Sequence, residues 1–137
     1  MSFLLDTNVV SELRKAHGHP QVAAWFRSIA SEDLYLSVVV IAELRRGVER
    51  IRRRDADQAV RLEAWLNHVK KAFGARILPI TLSVAEEWGR LNVPDPLPIF
   101  DGLLIATARV HGLTLVTRDI SDLQRRGLPV INPWAAG

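Results

Sequence analysis

Asp6, Glu43, Asp101 and Asp119 each stand where an α/β chain would turn out of its sheet. Asp6 follows the apolar run Phe3-Leu4-Leu5 and opens the turn Asp6-Thr7-Asn8. Glu43 follows Val38-Val39-Val40-Ile41-Ala42, and Asp101 heads the segment Asp101-Gly102-Leu103-Leu104-Ile105-Ala106-Thr107-Ala108. Asp119 comes directly after Leu115-Val116-Thr117-Arg118. If the four converge, their mutual repulsion calls for a cation. Carboxylates clustered without cysteine or a histidine set select hard cations: Mg²⁺, Mn²⁺ or Ca²⁺. Such a site lowers the pKa of a bound water and holds a phosphate oxygen at once, which suits hydrolysis of a phosphodiester. Read singly, each acid has a plainer role. Asp6 or Asp119 would cap a helix or form a turn, Glu43 would be solvated, and Asp101 would favour a helix macrodipole.

The polar neighbours of these acids suit a supporting role. Thr7, Asn8, Ser37 and Thr117 can orient carboxylates or bound waters. For Ser37, satisfying backbone at a strand end is the preferred reading, and Asp122 reads as a helix-surface or supporting acid. Arg45, Arg46, Arg50, Arg52, Arg53 and Arg54 form a dense basic run on and after the helix that carries Glu43. Arg50, Arg52, Arg53 and Arg54 are candidates for gripping an RNA backbone, because guanidinium forks match phosphate oxygens. The competing explanation is a solvated face partly paired with Glu49, Asp55 and Asp57. His17 and His19 flank Gly18 next to Pro20 and read as loop; Trp25, Trp65, Trp88 and Trp134 read as core or interface.

The elements that must position the acids follow from periodicity. Short apolar runs predict strands over 2–5, Leu34 to Val38, Arg76 to Ile80, Leu113 to Thr117 and Leu128 to Ile131. Pro79 would place the third strand at an edge. Helices are expected over Val9 to Lys15, over Pro20 to Ala30, and from about Val40 through the arginine run. Another starts at a cap on Asp55 or Asp57 and ends at Gly74, with Val60, Leu62, Trp65, Leu66 and Val69 apolar. Ser83 opens a helix to about Leu91, the three prolines from Asn92 to Pro98 mark a loop, and Ile99 to His111 is helical. A short helix is expected around Ser121 to Arg126. Strands of this length with helical crossovers imply a mostly parallel sheet covered on both faces. In such sheets the binding crevice lies beyond the carboxyl ends of the strands. Asp6 and Asp119 fall there directly and Glu43 close by, whereas Asp101 needs the amino end of its helix to fold back to the same side.

The 137 residues predict one domain, 1–137, large enough for a core. Hydrophobic residues make up 48% and charged residues 24%, as in ordinary globular proteins. No apolar run approaches the roughly 20 residues of a membrane span, and the amino terminus has no signal-peptide pattern. Absence of cysteine excludes disulfides and thiolate metal sites, so a reducing cytoplasm is the expected location. The net charge of +3 permits a polyanionic partner without demanding one.

Several motifs, in order, resemble those of a PIN domain. They are Leu4-Leu5-Asp6-Thr7-Asn8 with Ser11-Glu12-Leu13, Ala42-Glu43-Leu44 with Gly47, and Asp101 to Ala108 followed by Leu115 to Asp119. The terminal Asn132-Pro133-Trp134 is similar to the end of the bacterial toxin branch, the VapC ribonucleases and their FitB-like relatives. The resemblance covers Phe3 to Trp134. It implies a PIN-like α/β fold with a five-stranded parallel sheet in the order 3-2-1-4-5, and a homodimer. It also implies a Mg²⁺- or Mn²⁺-dependent endoribonuclease, the toxin of a toxin–antitoxin pair. A cognate antitoxin would insert an arginine-bearing segment into the acidic pocket. The family's acids map onto Asp6, Glu43, Asp101 and Asp119, which makes them the expected catalytic and metal-holding set, with Thr7, Asn8 and Thr117 supporting. Many members carry Asn where this chain has Asp119, and Ala where it has Gly102. The rivals are a PIN nuclease outside any toxin system, and a non-catalytic PIN module regulated with a DNA-binding partner.

Overall fold

The computed structural model describes residues 1–118, Leu123 and residues 127–135. The chain begins β1 (Phe3–Leu5), α1 (Thr7–Arg14), α2 (Pro20–Arg27), β2 (Leu34–Ser37), α3 (Val38–Arg52) and α4 (Ala56–Phe73). It continues β3 (Ile77–Leu78), α5 (Leu82–Leu91), α6 (Ile99–His111), β4 (Thr114–Val116) and β5 (Val130–Ile131). The strands form one parallel sheet in the order β3-β2-β1-β4-β5. This is the order implied by the family resemblance. The helix expected around Ser121 to Arg126 falls largely outside the described residues.

Central strand β1 shows why both faces are covered. Phe3, Leu4 and Leu5 are all buried, and successive strand side chains point to opposite faces, so neither face meets water. Leu36, Val40, Leu44, Val48, Leu66 and Leu104 join them in one core. Trp25 of α2 sets its ring edge-on to Phe3, with centroids 5.2 Å apart. Register is fixed by Leu4 opposite Tyr35 on one side and by Leu5 opposite Val116 on the other.

Helix boundaries move by a residue or two where a cap decides them. Ser37 ends β2 and accepts the Val39 N–H on its hydroxyl at 3.0 Å, so α3 starts at Val38 instead of near Val40. Asp55 caps α4 through the Gln58 N–H at 3.0 Å, and Gly74 ends it at φ 52°. Thr81, not Ser83, caps α5. Val60 is 61% exposed, contrary to the apolar face expected of it. The inward stripe of α4 is Ala59, Leu62, Leu66 and Val69 at helical spacing, and Val60 lies one step round the helix. Strand β3 is two residues long at the sheet edge, stopped by Pro79. Arg76 fastens the turn before it by donating to the carbonyls of Ser31, Leu34 and Ala72.

Part of the arginine run is structural. Arg45 reaches Glu63 of α4 at 2.6 Å and Glu49 at 3.2 Å, while Arg52 reaches Glu49 and Glu63 at 3.1 Å. The four side chains close a ring between α3 and α4. Hydrogen bonds from Arg45 and Arg52 hold the Glu63 carboxyl below its ordinary value, and those from Arg52 and Arg45 do the same for Glu49. Groups with lowered folded pKa stabilise fully above the unfolded value and lose that contribution as pH falls through the folded one. A Glu63→Gln chain is therefore expected to melt below the parent at pH 7. Melting curves on an acid series should show the gap closing below pH 4.5, the ordinary glutamate value; a gap that persists undiminished at pH 2 would assign the loss to packing.

Candidate active site

The register of β1 against β4 brings two chain segments into contact at the carboxyl end of the sheet. Just past Leu5, the Asp6 backbone N–H donates to the Val116 carbonyl at 2.9 Å. Thr117, the next residue on the other strand, donates its hydroxyl to Asp6 Oδ2 at 2.7 Å. The remaining oxygen, Oδ1, accepts the Thr7 N–H at 2.6 Å. Asp6 is thus the cap of α1 and a cavity-lining acid at once, and the two readings of it do not compete. With one donor on each oxygen, the carboxylate is fixed in direction and keeps lone pairs for a further partner.

Asp101 lies in the first turn of α6 and lines the same cavity of about 390 Å³, together with Asn8, Thr117, Leu97 and Pro98. The amino end of α6 does fold back to the β1–β4 side. Asn92 helps to place the wall: its amide donates to the Trp88 carbonyl at 2.7 Å, and its oxygen accepts the Leu97 N–H at 2.8 Å. Leu104, Ile105, Leu115 and Leu123 supply the apolar part of the lining.

Glu43 stands one step away. Its Oε1 accepts the Thr7 hydroxyl at 2.7 Å, so Thr7 ties Asp6 by its N–H and Glu43 by its side chain. Glu43 lines a neighbouring groove of about 410 Å³ with Ser11, Arg14, Arg50, Arg54 and Trp65. Asp119 and Asp122 lie outside the described residues. Ser37 serves as the cap of α3 and is not at the cavity.

Among the described residues, the polar groups that line the cavity are two carboxylates, an amide and a hydroxyl, with no imidazole or thiol. That donor chemistry fits a hard divalent cation that keeps part of its water shell. Among the described residues no three His, Asp or Glu side chains stand close enough to hold a metal by themselves.

A family model described as PIN domain matches residues 3–127. The chain belongs to the PIN domain family. It is 38% identical to the VapC ribonuclease Y4jK of Sinorhizobium fredii over 139 residues, covering 96% of each protein. It is 35% identical to the toxin FitB of Neisseria gonorrhoeae over 136 residues, covering 96% of this chain and 97% of that protein. Among solved structures, a chain of FitAcB from Neisseria gonorrhoeae superposes with a TM-score of 0.89 at 34% identity, covering 98% of this chain and 99% of that one.

Within this PIN domain the candidate RNA-binding arginines separate. Arg50 and Arg54 line the groove beside Glu43, and Arg53 is exposed. Arg52 is committed to the α3–α4 ion-pair ring, where carboxylates occupy its N–H groups. Arg46, part of the basic run but not among the RNA candidates, and Arg118 each lie over an aromatic ring close in sequence to a cavity-lining residue. The Arg46 guanidinium lies 5.5 Å from the Phe100 ring centre, and that of Arg118 lies 4.6 Å from Trp134. The available signal was position: Phe100 precedes Asp101, and Arg118 follows Thr117.

Gly102 has a steric role that sequence did not reveal. A Cβ built there would meet Trp88 Nε1 at 3.0 Å and Cδ1 at 3.1 Å, directly behind the cavity wall at Leu97. Alanine would add about 1 kcal/mol of helix propensity but would press on the indole. Gly102→Ala is thus expected to stabilise by well under that amount. In a Trp88→Leu background the same change should yield the full gain, as denaturant-based double-mutant cycles would measure. Equal effects in both backgrounds would remove the indole contact as the reason for glycine here.

Proposed function

We propose that this PIN domain, comprising residues 1–137, is a metal-dependent endoribonuclease and the toxin of a toxin–antitoxin pair acting in the cytoplasm. The observation that carries the proposal is the placing of Asp6 and Asp101 on one cavity, with Thr117 orienting the Asp6 carboxylate. Asp6 and Asp101 would hold Mg²⁺ or Mn²⁺, with Glu43 and Asp119 completing the acidic set. When bound, such a cation neutralises the scissile phosphate and activates water.

The chain's own residues set the geometry. Thr117 and the Thr7 N–H lock the Asp6 carboxylate, so no rotamer search delays its use. Thr7 also draws Glu43 toward Asp6, concentrating negative charge at the site and raising its demand for a cation. Asn8 places an amide on the cavity wall, where it can donate to a phosphate oxygen. The apolar lining from Leu97 to Leu123 limits water around the reacting phosphate and strengthens these interactions.

The proposed partner is an antitoxin. FitAcB and FitAB bound to an IR36 DNA fragment are related structures, the second at 31% identity and a TM-score of 0.88. An arginine-bearing antitoxin segment would compete with the cation, because a guanidinium fork matches paired carboxylates. A homodimer is the proposed assembly.

Asp6→Asn and Asp101→Asn are expected to remain folded, to lose RNA cleavage, and to lose the rise in melting temperature that Mn²⁺ or Mg²⁺ gives the parent. Thr117→Val keeps both acids and should weaken metal affinity about 10- to 100-fold, measured by the same thermal titration. Full cleavage by both Asn variants would refute the assignment. For the antitoxin, a peptide of its tail should inhibit less as Mg²⁺ rises, and its Arg→Ala variant should bind yet inhibit poorly. Metal-independent inhibition without arginine would place the block elsewhere.

A further inference from the structure

An acidic cavity repels RNA as strongly as it attracts a cation, so a phosphodiester needs positive charge beside the site to lie across it. Among the described residues four guanidinium groups lie over aromatic rings, and their N–H groups and positions sort them. Arg76, over Phe73, spends its donors on three backbone carbonyls. Arg14, over Trp65, stands in the groove on the far side of Glu43. Arg46 and Arg118 share open N–H groups with Arg14 but lie over rings outside that groove. Their guanidinium groups make no hydrogen bond or ion pair with any described residue.

Their placement matters as much as their open donors. Arg46 is three residues after Glu43 on α3, the helix that leaves β2, and lies over the ring that precedes Asp101. Arg118 follows Thr117 at the end of β4 and lies on the β5 side. Asp101, the neighbour of Phe100, and Thr117, the neighbour of Arg118, both line the acidic cavity. Each is held by an aromatic partner that is itself packed on the core, since Phe100 and Trp134 are partly buried against it. The terminal motif adds a second restraint on Arg118. Asn132 donates to the Arg118 carbonyl at 3.0 Å and accepts the Trp134 N–H at 2.9 Å, locking strand end and ring together. Glu12 lies near Arg118, yet its carboxylate is already taken by the His19 backbone N–H and by Lys15. Stacking fixes the plane of a guanidinium and leaves its N–H edge open, the arrangement a phosphate requires.

We infer that Arg46 and Arg118 bind the phosphates on either side of the scissile one, so that single-stranded RNA crosses the cavity from α3 toward β5. The inference rests on the ribonuclease reading above. It transfers the backbone-gripping role from Arg52 and its neighbours on the α3–α4 edge to two ring-held arginines at the site. Asn132 and Trp134 then act as positioning residues for Arg118.

The test is binding of a fluorescein-labelled single-stranded RNA to the whole protein in excess chelator, followed by anisotropy across a salt series. Cleavage is not involved. Arg46→Gln and Arg118→Gln should each weaken binding and lower the slope of log K against log salt by about 0.7, the value for one phosphate contact on a single strand. Arg→Lys at either position, which keeps charge and loses the fork, should restore the slope with only part of the affinity. Trp134→Leu should weaken binding with Arg118 present and add nothing to Arg118→Gln. A purely structural role would lower the melting temperature and leave the slope alone. A parent that binds RNA with a slope neither Gln variant changes overturns the inference and leaves the ribonuclease reading standing. A parent that binds no RNA overturns both. A Gln variant that changes oligomeric state on gel filtration without changing the slope assigns that arginine to a protein contact and also overturns it.

Discussion

Parallel pairing of β1 with β4, Leu5 opposite Val116, is the constraint from which the site follows. It sets Asp6 opposite Thr117, and two bonds seal that meeting: Asp6 N–H to the Val116 carbonyl, and the Thr117 hydroxyl to the carboxylate. Strand side chains alternate faces, so a slip of one residue would turn Thr117 to the opposite face and withdraw its hydroxyl from Asp6. Burial prevents the slip. Leu4, Leu5 and Val116 are sealed from solvent, and any other register would expose apolar surface at roughly 25 cal/mol per Å². The core therefore positions the chemistry without contributing a polar atom to it.

Charge is distributed to match. Acids that stabilise the fold sit in pairs with arginine on the α3–α4 surface, or cap helices as Asp55 does. At the cavity the groups that hold Asp6 and Glu43 are neutral donors, namely two hydroxyls and a backbone N–H. A neutral donor orients a carboxylate without cancelling its charge, whereas a guanidinium would do both. Negative charge at the cavity is thereby left uncancelled. Thr7 is the hinge of this arrangement, because one short side chain couples the end of β1 to α3.

Much of this was legible in the sequence, and the failures have physical causes. Strand positions, the loop from Asn92 to Pro98 and the span of α6 followed from periodicity and proline. The order β3-β2-β1-β4-β5 came from family resemblance, since periodicity is silent on which strands adjoin. Caps were ambiguous because Thr81 and Ser83, or Asp55 and Asp57, are chemically alike at neighbouring positions. Val60 was misplaced because an apolar residue beside a stripe cannot be told from one within it when Ala59 fills the inner position. Glu43 was expected close to the crevice, and it stands beside the cavity, joined through Thr7 and facing the adjoining groove. Side-chain reach of that kind is not in the spacing. The arginine run showed the opposite limit: density of charge drew attention to Arg52, while ion-pair partners on α4 had already claimed it. Gly102 makes room for Trp88, a contact between helices no local pattern records.

The central claim is that Asp6 and Asp101 form one cation site at the carboxyl end of the sheet. Anomalous diffraction from crystals of the protein soaked in Mn²⁺ tests it most directly. A manganese peak within coordinating distance of both carboxylates, absent when Asp6 is replaced by Asn, is the expected result. Manganese bound only in the groove beside Glu43, or undiminished in the Asp6→Asn crystals, would contradict it.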